Sequence, residues 1–274
     1  MDTEQEIKEM VKQKYNDIAL QNKNASSSCC DTGRESPEVY NIMNEEYDGL
    51  GGYNPDADLG LGCGLPTQFA KIKNGDTVID LGSGAGNDCF IARAETGEKG
   101  KVIGIDFSEA MIDKARVNAD KLGFNNVEFR QGDIEKMPVP ANVADVIVSN
   151  CVLNLVPNKP AVFADMFRVL KPGGHFSISD IVLIGELPEK IKNAAEMYAG
   201  CVASAIEKEE YLGYITKAGF NNMVIQKDKP IVVPDEILKD YLNDEEIARY
   251  KAQDTVIRSI TVYAQKPLSC CTST

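Results

Sequence analysis

The sequence predicts an α/β domain with a doubly wound, Rossmann-like sheet, and three observations carry that prediction. An apolar strand, Thr77-Val78-Ile79-Asp80-Leu81, runs directly into the glycine turn Gly82-Ser83-Gly84-Ala85-Gly86-Asn87. Strand and helix patterns alternate from Thr77 onward. Acidic residues, Asp80, Asp106 and Asp133, stand at the ends of three successive strands. Glycines in such a turn let the backbone approach a ligand closely, and the helix that follows offers unbonded N–H groups at its N-terminus. Open α/β sheets bind ligands at the carboxyl ends of their strands, so a nucleotide-like cofactor is expected there.

In chain order, Asp2 to about Gln21 reads as an amphipathic helix with Ile7, Met10, Val11, Tyr15 and Ile18 at helical spacing. Asn22 to Ser36 is polar and reads as a loop carrying Cys29-Cys30. Residues 49–66 are glycine-rich and irregular, and contain Cys63. After the first strand and its helix, Lys101 to Asp106 forms a second strand whose terminal acid is placed to hold a ribose diol. Ser108 caps a helix running to Leu122 and closed by Gly123. Val127 to Arg130 is the third strand, leading into Gln131-Gly132-Asp133-Ile134, an acidic loop suited to an adenine edge. Ala144 to Asn150 is a fourth strand, almost continuously apolar as central parallel strands are. A helix over Val162 to Leu170 precedes a fifth strand, His175 to Val182. Glu189 to about Lys217 reads as largely helical, a sixth strand begins at Met223 to Gln226, Asp235 to Tyr250 reads as one charged helix, and Val256 to Gln265 is the last strand. The count is seven strands in one sheet. The expected organisation is a helix and cysteine/glycine-rich cap over residues 1–75, the α/β domain over 76–268 and a Cys-Cys tail over 269–274.

The 274 residues carry 29 basic and 42 acidic side chains, a formal charge of −13, which argues against nucleic acid or an anionic membrane as partner. No apolar run approaches the ~20 residues of a membrane helix. The start, Met1 to Glu6, is acidic where a signal peptide would be basic, so the expected location is cytoplasmic. Eight cysteines in a reducing compartment need a reason other than structural disulfides. None forms a Cys-x-x-Cys pair and the chain has a single histidine, His175, so a structural zinc site is not expected. Cys89, one turn into the first helix of the α/β domain, reads as packing, and His175 as structural.

The third glycine of the turn comes one residue earlier than in the dehydrogenase pattern Gly-x-Gly-x-x-Gly. With Leu170-Lys171-Pro172-Gly173-Gly174 before a strand, the stretch from Asp76 to Asp180 resembles the class I S-adenosylmethionine-dependent methyltransferases. That resemblance implies an antiparallel last strand, with S-adenosyl-L-methionine held by Asp80, Gly82, Gly84, Asp106, Phe107, Met111, Asp133, Ile134 and Asn150. Cys151 follows the end of the fourth strand, Cys63 precedes the first, and Cys201 lies on the connection after the fifth, so three thiols can meet beside the methyl. Thiols select a soft acceptor, and trivalent arsenic suits three of them. The contexts Gly62-Cys63-Gly64-x-Pro66, Asn150-Cys151-Val152-Leu153-Asn154-Leu155 and Gly200-Cys201-Val202-Ala203, with Cys29-Cys30 upstream, resemble the arsenite S-adenosylmethionine methyltransferases over nearly the whole chain.

The resemblance implies that Cys63, Cys151 and Cys201 hold the arsenic of arsenite, methylarsenite or their thiol conjugates. It further implies that an early cysteine, Cys29 or Cys30, forms a redox pair with Cys63, and that an external thiol such as glutathione or thioredoxin restores the reduced state. The tail pair Cys270-Cys271 is either a trap for arsenic or inert. Two rival readings remain. A C- or O-methyltransferase of the quinone or sterol type shares the cofactor loops but expects a general base or an apolar pocket in place of thiols. A non-catalytic arsenic-binding protein shares the thiols but has no use for a nucleotide loop.

Overall fold

Seven strands, β1 (Thr77–Leu81), β2 (Lys101–Asp106), β3 (Val127–Gln131), β4 (Ala144–Asn150), β5 (Leu170–Ile184), β6 (Asn221–Ile231) and β7 (Val256–Gln265), form one sheet in the order β3-β2-β1-β4-β5-β7-β6. The structure, a computed structural model, describes residues 4–20, 47, 49–186, 190, 202, 204–232, 235–239, 241–252 and 256–268. Cys29, Cys30, Cys201, Cys270 and Cys271 lie outside the described residues. Strands β1 to β5 pair in parallel, and β7 lies antiparallel between β5 and β6, as the sequence resemblance implies. Val78, Ile79, Leu81, Val146, Ile147 and Val148 of the two central strands are fully buried, which explains their continuous apolar pattern.

Eight helices accompany the sheet among the described residues: α1 (Glu4–Leu20), α2 (Pro66–Phe69), α3 (Asn87–Thr96), α4 (Glu109–Leu122), α5 (Lys159–Val169), α6 (Lys208–Lys217), α7 (Asp235–Leu238) and α8 (Asp244–Ala252). The caps read from sequence are present at α4: Ser108 Oγ accepts from the N–H of Met111 at 3.1 Å, and Gly123 closes the helix in the left-handed region. Helix α5 begins earlier than its apolar pattern suggests, because Asn158 caps it and accepts from Ala161 N–H.

Two expectations are corrected. The charged segment Asp235 to Tyr250 is two helices, α7 and α8, with residues 241–243 between them non-helical. Asn243 restarts the helix through a reciprocal capping box: its Oδ1 accepts from Glu246 N–H, and Glu246 Oε2 accepts from Asn243 N–H, both at 2.9 Å. Of the segment Glu189 to Lys217, Lys190 and Lys208–Lys217 are helical as expected, residues 202 and 204–207 are not, and the others lie outside the described residues. Glu207 is extended, bridges Leu183 of β5, and accepts from Gly185 N–H at 2.7 Å. No helix among the described residues is long and apolar enough to cross a membrane.

The carboxyl ends of β1, β2 and β4 come together in register, with Leu81 opposite both Ile105 and Ser149. Strand order reverses direction between β1 and β4, so this is the switch point at which such sheets open a crevice.

Candidate active site

Two adjoining cavities open at that switch point. One, of about 720 Å³, is lined by Asp80, Gly82, Gly84, Asp88, Asp106, Phe107, Asn150, Cys151 and Val152, among others. The second, of about 450 Å³, shares Gly82, Asp106, Phe107, Val152 and Leu155 with the first and adds Lys8, Asp133 and Ile134. Gly82 sits at φ +66°, and a Cβ there would lie 2.4 Å from Val152 Cγ2, so only glycine lets the turn pass this wall.

The larger cavity is acidic: Asp58, Asp80, Asp88 and Asp106 line it, and no lysine or arginine does among the described residues. Burial pushes the Asp106 and Asp88 carboxyls up to about 6, although each is partly held down by hydrogen bonds. Asp80 is raised further by burial and by the neighbouring charge of Asp88, and Cys89 Sγ donates to it at 3.2 Å. Asp106 braces two loops: Oδ2 accepts from Gly84 N–H at 2.9 Å and Oδ1 from Ser108 N–H at 2.8 Å. A concave site with this surplus of carboxylates is built for a cationic ligand, which fits a sulfonium-bearing, amino-acid-tailed nucleoside.

Cys63 and Cys151 are connected through Asn150. Its Oδ1 accepts from Cys63 N–H at 3.0 Å, while Nδ2 donates to Gly64 O at 2.7 Å, to Tyr47 Oη at 2.6 Å and to Asp88 Oδ2 at 3.3 Å. The Gly-Cys-Gly spacing follows from how closely this loop packs. A Cβ on Gly62 would lie 2.7 Å from Asn150 Nδ2, and one on Gly64 would lie 2.6 Å from Ser179 Oγ. Both thiols are buried, Cys63 at 1% and Cys151 at 4% exposure, in a cluster with Leu155, Ile181 and Val202, the neighbour of Cys201.

The structure thus brings Asp80, Gly82, Gly84, Asp106, Phe107, Asn150 and Cys151 around one cavity and Asp133 and Ile134 around its neighbour. Met111 is fully buried and lines neither cavity among the described residues; its N–H serves the Ser108 cap. Cys63 itself lines neither cavity, although the residue before it, Gly62, lines the larger one. Cys89 is buried as expected, with the added contact to Asp80, and His175 Nε2 meets Ala70 O at 2.6 Å, a structural role. Sequence reasoning missed Asp88, whose partners Tyr47, Thr67 and Asn150 all lie far along the chain. It also missed Lys8, which reaches Asp133 and Glu135 from α1. The one available signal for Asp88 was an acid in the first turn after the glycines.

Comparison with known proteins decides the family. A methyltransferase-domain model matches residues 72–219. The arsenite methyltransferase of Halobacterium salinarum is 39% identical, over 96% of this chain and 67% of that protein. The chain belongs to the arsenite methyltransferase family. The chain spans about two thirds of the length of its Halobacterium relative. The crystal structure of the arsenic(III) S-adenosylmethionine methyltransferase from Chlamydomonas reinhardtii superposes with a TM-score of 0.64 at 31% identity, covering 76% of this chain and 68% of that one. The demethylmenaquinone methyltransferase of Lactococcus lactis, a quinone-type enzyme, is 31% identical but over 50% of the chain. The fold is that of the class I methyltransferases, and S-adenosylmethionine is the cofactor of this family of arsenite-methylating enzymes.

Proposed function

We propose that the protein holds trivalent arsenic on cysteine thiolates and methylates it from S-adenosylmethionine, as a means of arsenic detoxification in the cytoplasm. The observation that carries the reading is the position of Cys151, a buried cysteine in the wall of the acidic cavity and joined through Asn150 to the Cys63 loop. The third thiol of this reading, Cys201, lies outside the described residues.

Arsenite exchanges its hydroxyls for Cys63, Cys151 and Cys201, each thiol proton leaving with a hydroxide as water. Three sulfurs leave arsenic a lone pair directed away from them. The cofactor supplies an electrophilic methyl on a sulfonium, which is already a good leaving group, so the chain contributes position and field. Asp106, Phe107, Asp133 and Ile134 would hold the adenosine portion, and Asp80 with the Gly82–Gly84 turn the amino-acid end. The arsenic lone pair forms the new bond to carbon, and the carbon–sulfur pair stays with sulfur. Arsenic has then lost two electrons formally. The thiolate of Cys29 or Cys30 attacks the arsenic-bound sulfur of Cys63, the Cys63–arsenic bond breaks with its electron pair returning to arsenic, and glutathione or thioredoxin reduces the resulting disulfide for the next round.

The test is incubation with arsenite, a thiol and methyl-labelled S-adenosylmethionine, followed by separation of arsenic species. Labelled methylarsenicals are expected. Labelled quinone-type products with none on arsenic would favour the small-molecule methyltransferase reading, and tight arsenite binding without any transfer would favour sequestration.

A further inference from the structure

Cys151 has φ +60°, a left-handed conformation that a non-glycine residue adopts only when its surroundings enforce it. The enforcement comes from a group of polar side chains that lines neither cavity. Cys151 N–H donates to Ser179 O at 2.8 Å, fixing the turn to β5. The single turn of 3-10 helix that follows, Leu153–Leu155, is fastened to the same strand by Asn154, whose Nδ2 donates to Ile181 O at 2.6 Å. Lys159 Nζ donates to Asn154 O and Val156 O, both at 3.2 Å. Asp180, with no exposure, accepts from the N–H groups of Ile181 and Asn154 and from Tyr211 Oη.

Lys159 is the unusual member. It is 6% exposed and opens helix α5, where a cation opposes the helix dipole. A lysine is rarely buried so completely; the charge of the buried Asp180 offsets part of the cost, and hydrogen bonds to backbone carbonyls meet the rest. What its ammonium does is tie together the carbonyls of the segment joining Cys151 to α5.

We propose that Lys159 and Asn154 are positioning residues: they hold the Cys151 turn in the one backbone conformation that presents its thiol to the cofactor cavity, together with the wall residues Val152 and Leu155. The inference rests on the reading that Cys151 binds arsenic. Lys159→Met keeps the stem and removes the charge and donors. Its folded fraction should show kcat for arsenite reduced roughly 10- to 100-fold, the scale of a ~1 Å misplacement, while S-adenosylmethionine affinity moves by less than about threefold. Lys159→Arg should recover most of the rate. Iodoacetamide alkylation of Cys151, followed by mass spectrometry, should accelerate relative to that of Cys63. A purely stabilising role would lower the thermal midpoint and leave kcat per folded molecule unchanged, and that result overturns the proposal. Should Lys159→Met fail to fold, Asn154→Ala leaves the buried charges in place and carries the same expectation and the same refutation. Failure of the arsenic site itself is read separately: retained activity in Cys151→Ser overturns that reading, whereas an inactive Cys151→Ser beside a fully active Lys159→Met overturns the positioning role alone.

Discussion

Cys151 carries backbone strain at the point where the proposed chemistry occurs, because φ +60° crowds a Cβ that glycine lacks. The strain makes a stability prediction independent of arsenic. Cys151→Gly should be more stable than Cys151→Ala by about 1 kcal/mol in thermal or urea unfolding, the reverse of the usual order, since alanine keeps the crowded Cβ. Equal stability of the two variants, or alanine the higher, would show that the turn is relaxed. At this scale the sequence was informative where a residue's chemistry is rare, as with Cys63 and Cys151 in their glycine and asparagine contexts. It was silent where a common residue draws its meaning from a distant partner. Asn150 reaches Tyr47 across 103 positions and Cys63 across 87, and no local pattern announces such bonds.

Elements were legible wherever a cap or period marks them: β1, β2, β4, β7 and the α4 helix end where the residues say they should. The misreading of α7 and α8 as one helix came from following charge periodicity past the capping box at Asn243. Two of the polar contacts that hold α1 to the rest were not legible, because each joins it to residues far along the chain. Lys8 Nζ lies 2.7 Å from Asp133 Oδ2 and 2.6 Å from Glu135 Oε2, with 26% of the lysine side chain exposed, whereas Ser108 Oγ caps α4 and donates to Asn16 Oδ1 at 2.6 Å. Lys8→Ala should therefore cost no more than ~1 kcal/mol of unfolding free energy, and the loss should shrink as salt screens the pair. Ser108→Ala should cost ~0.5–2 kcal/mol, a loss that persists in high salt because the bonds it breaks are buried and the cap is neutral. Denaturant titrations at low and high ionic strength separate the two, and a salt-insensitive Lys8 effect would contradict this division.

For the whole molecule, sheet order and switch point follow from alternating elements, and the cavity follows from the switch point; its acidity comes from carboxylates whose burial only the folded chain reveals. Burial raises Asp106 and Asp88 to about 6 and Asp180 to about 7. Folded values above the unfolded ones mean that the folded state binds more protons between about pH 4 and 7, so stability is gained on acidification and lost as pH rises through that window. His175, whose pKa is lowered by burial, opposes this with one group. The thermal midpoint should rise between about pH 8 and 5.5, while affinity for the cationic cofactor should fall below about pH 6 as Asp88 and Asp106 lose their charge. Parallel pH trends in calorimetry and melting would contradict the assignment of these carboxylates to the cofactor. The central claim, that thiolates beside this cavity present arsenic to the methyl, is tested most directly by one measurement: arsenite methylation by Cys151→Ser, with S-adenosylmethionine affinity determined on the same sample. The account predicts a loss on the order of 100-fold or more in methylation with cofactor affinity within about threefold; robust methylation by that variant would contradict it.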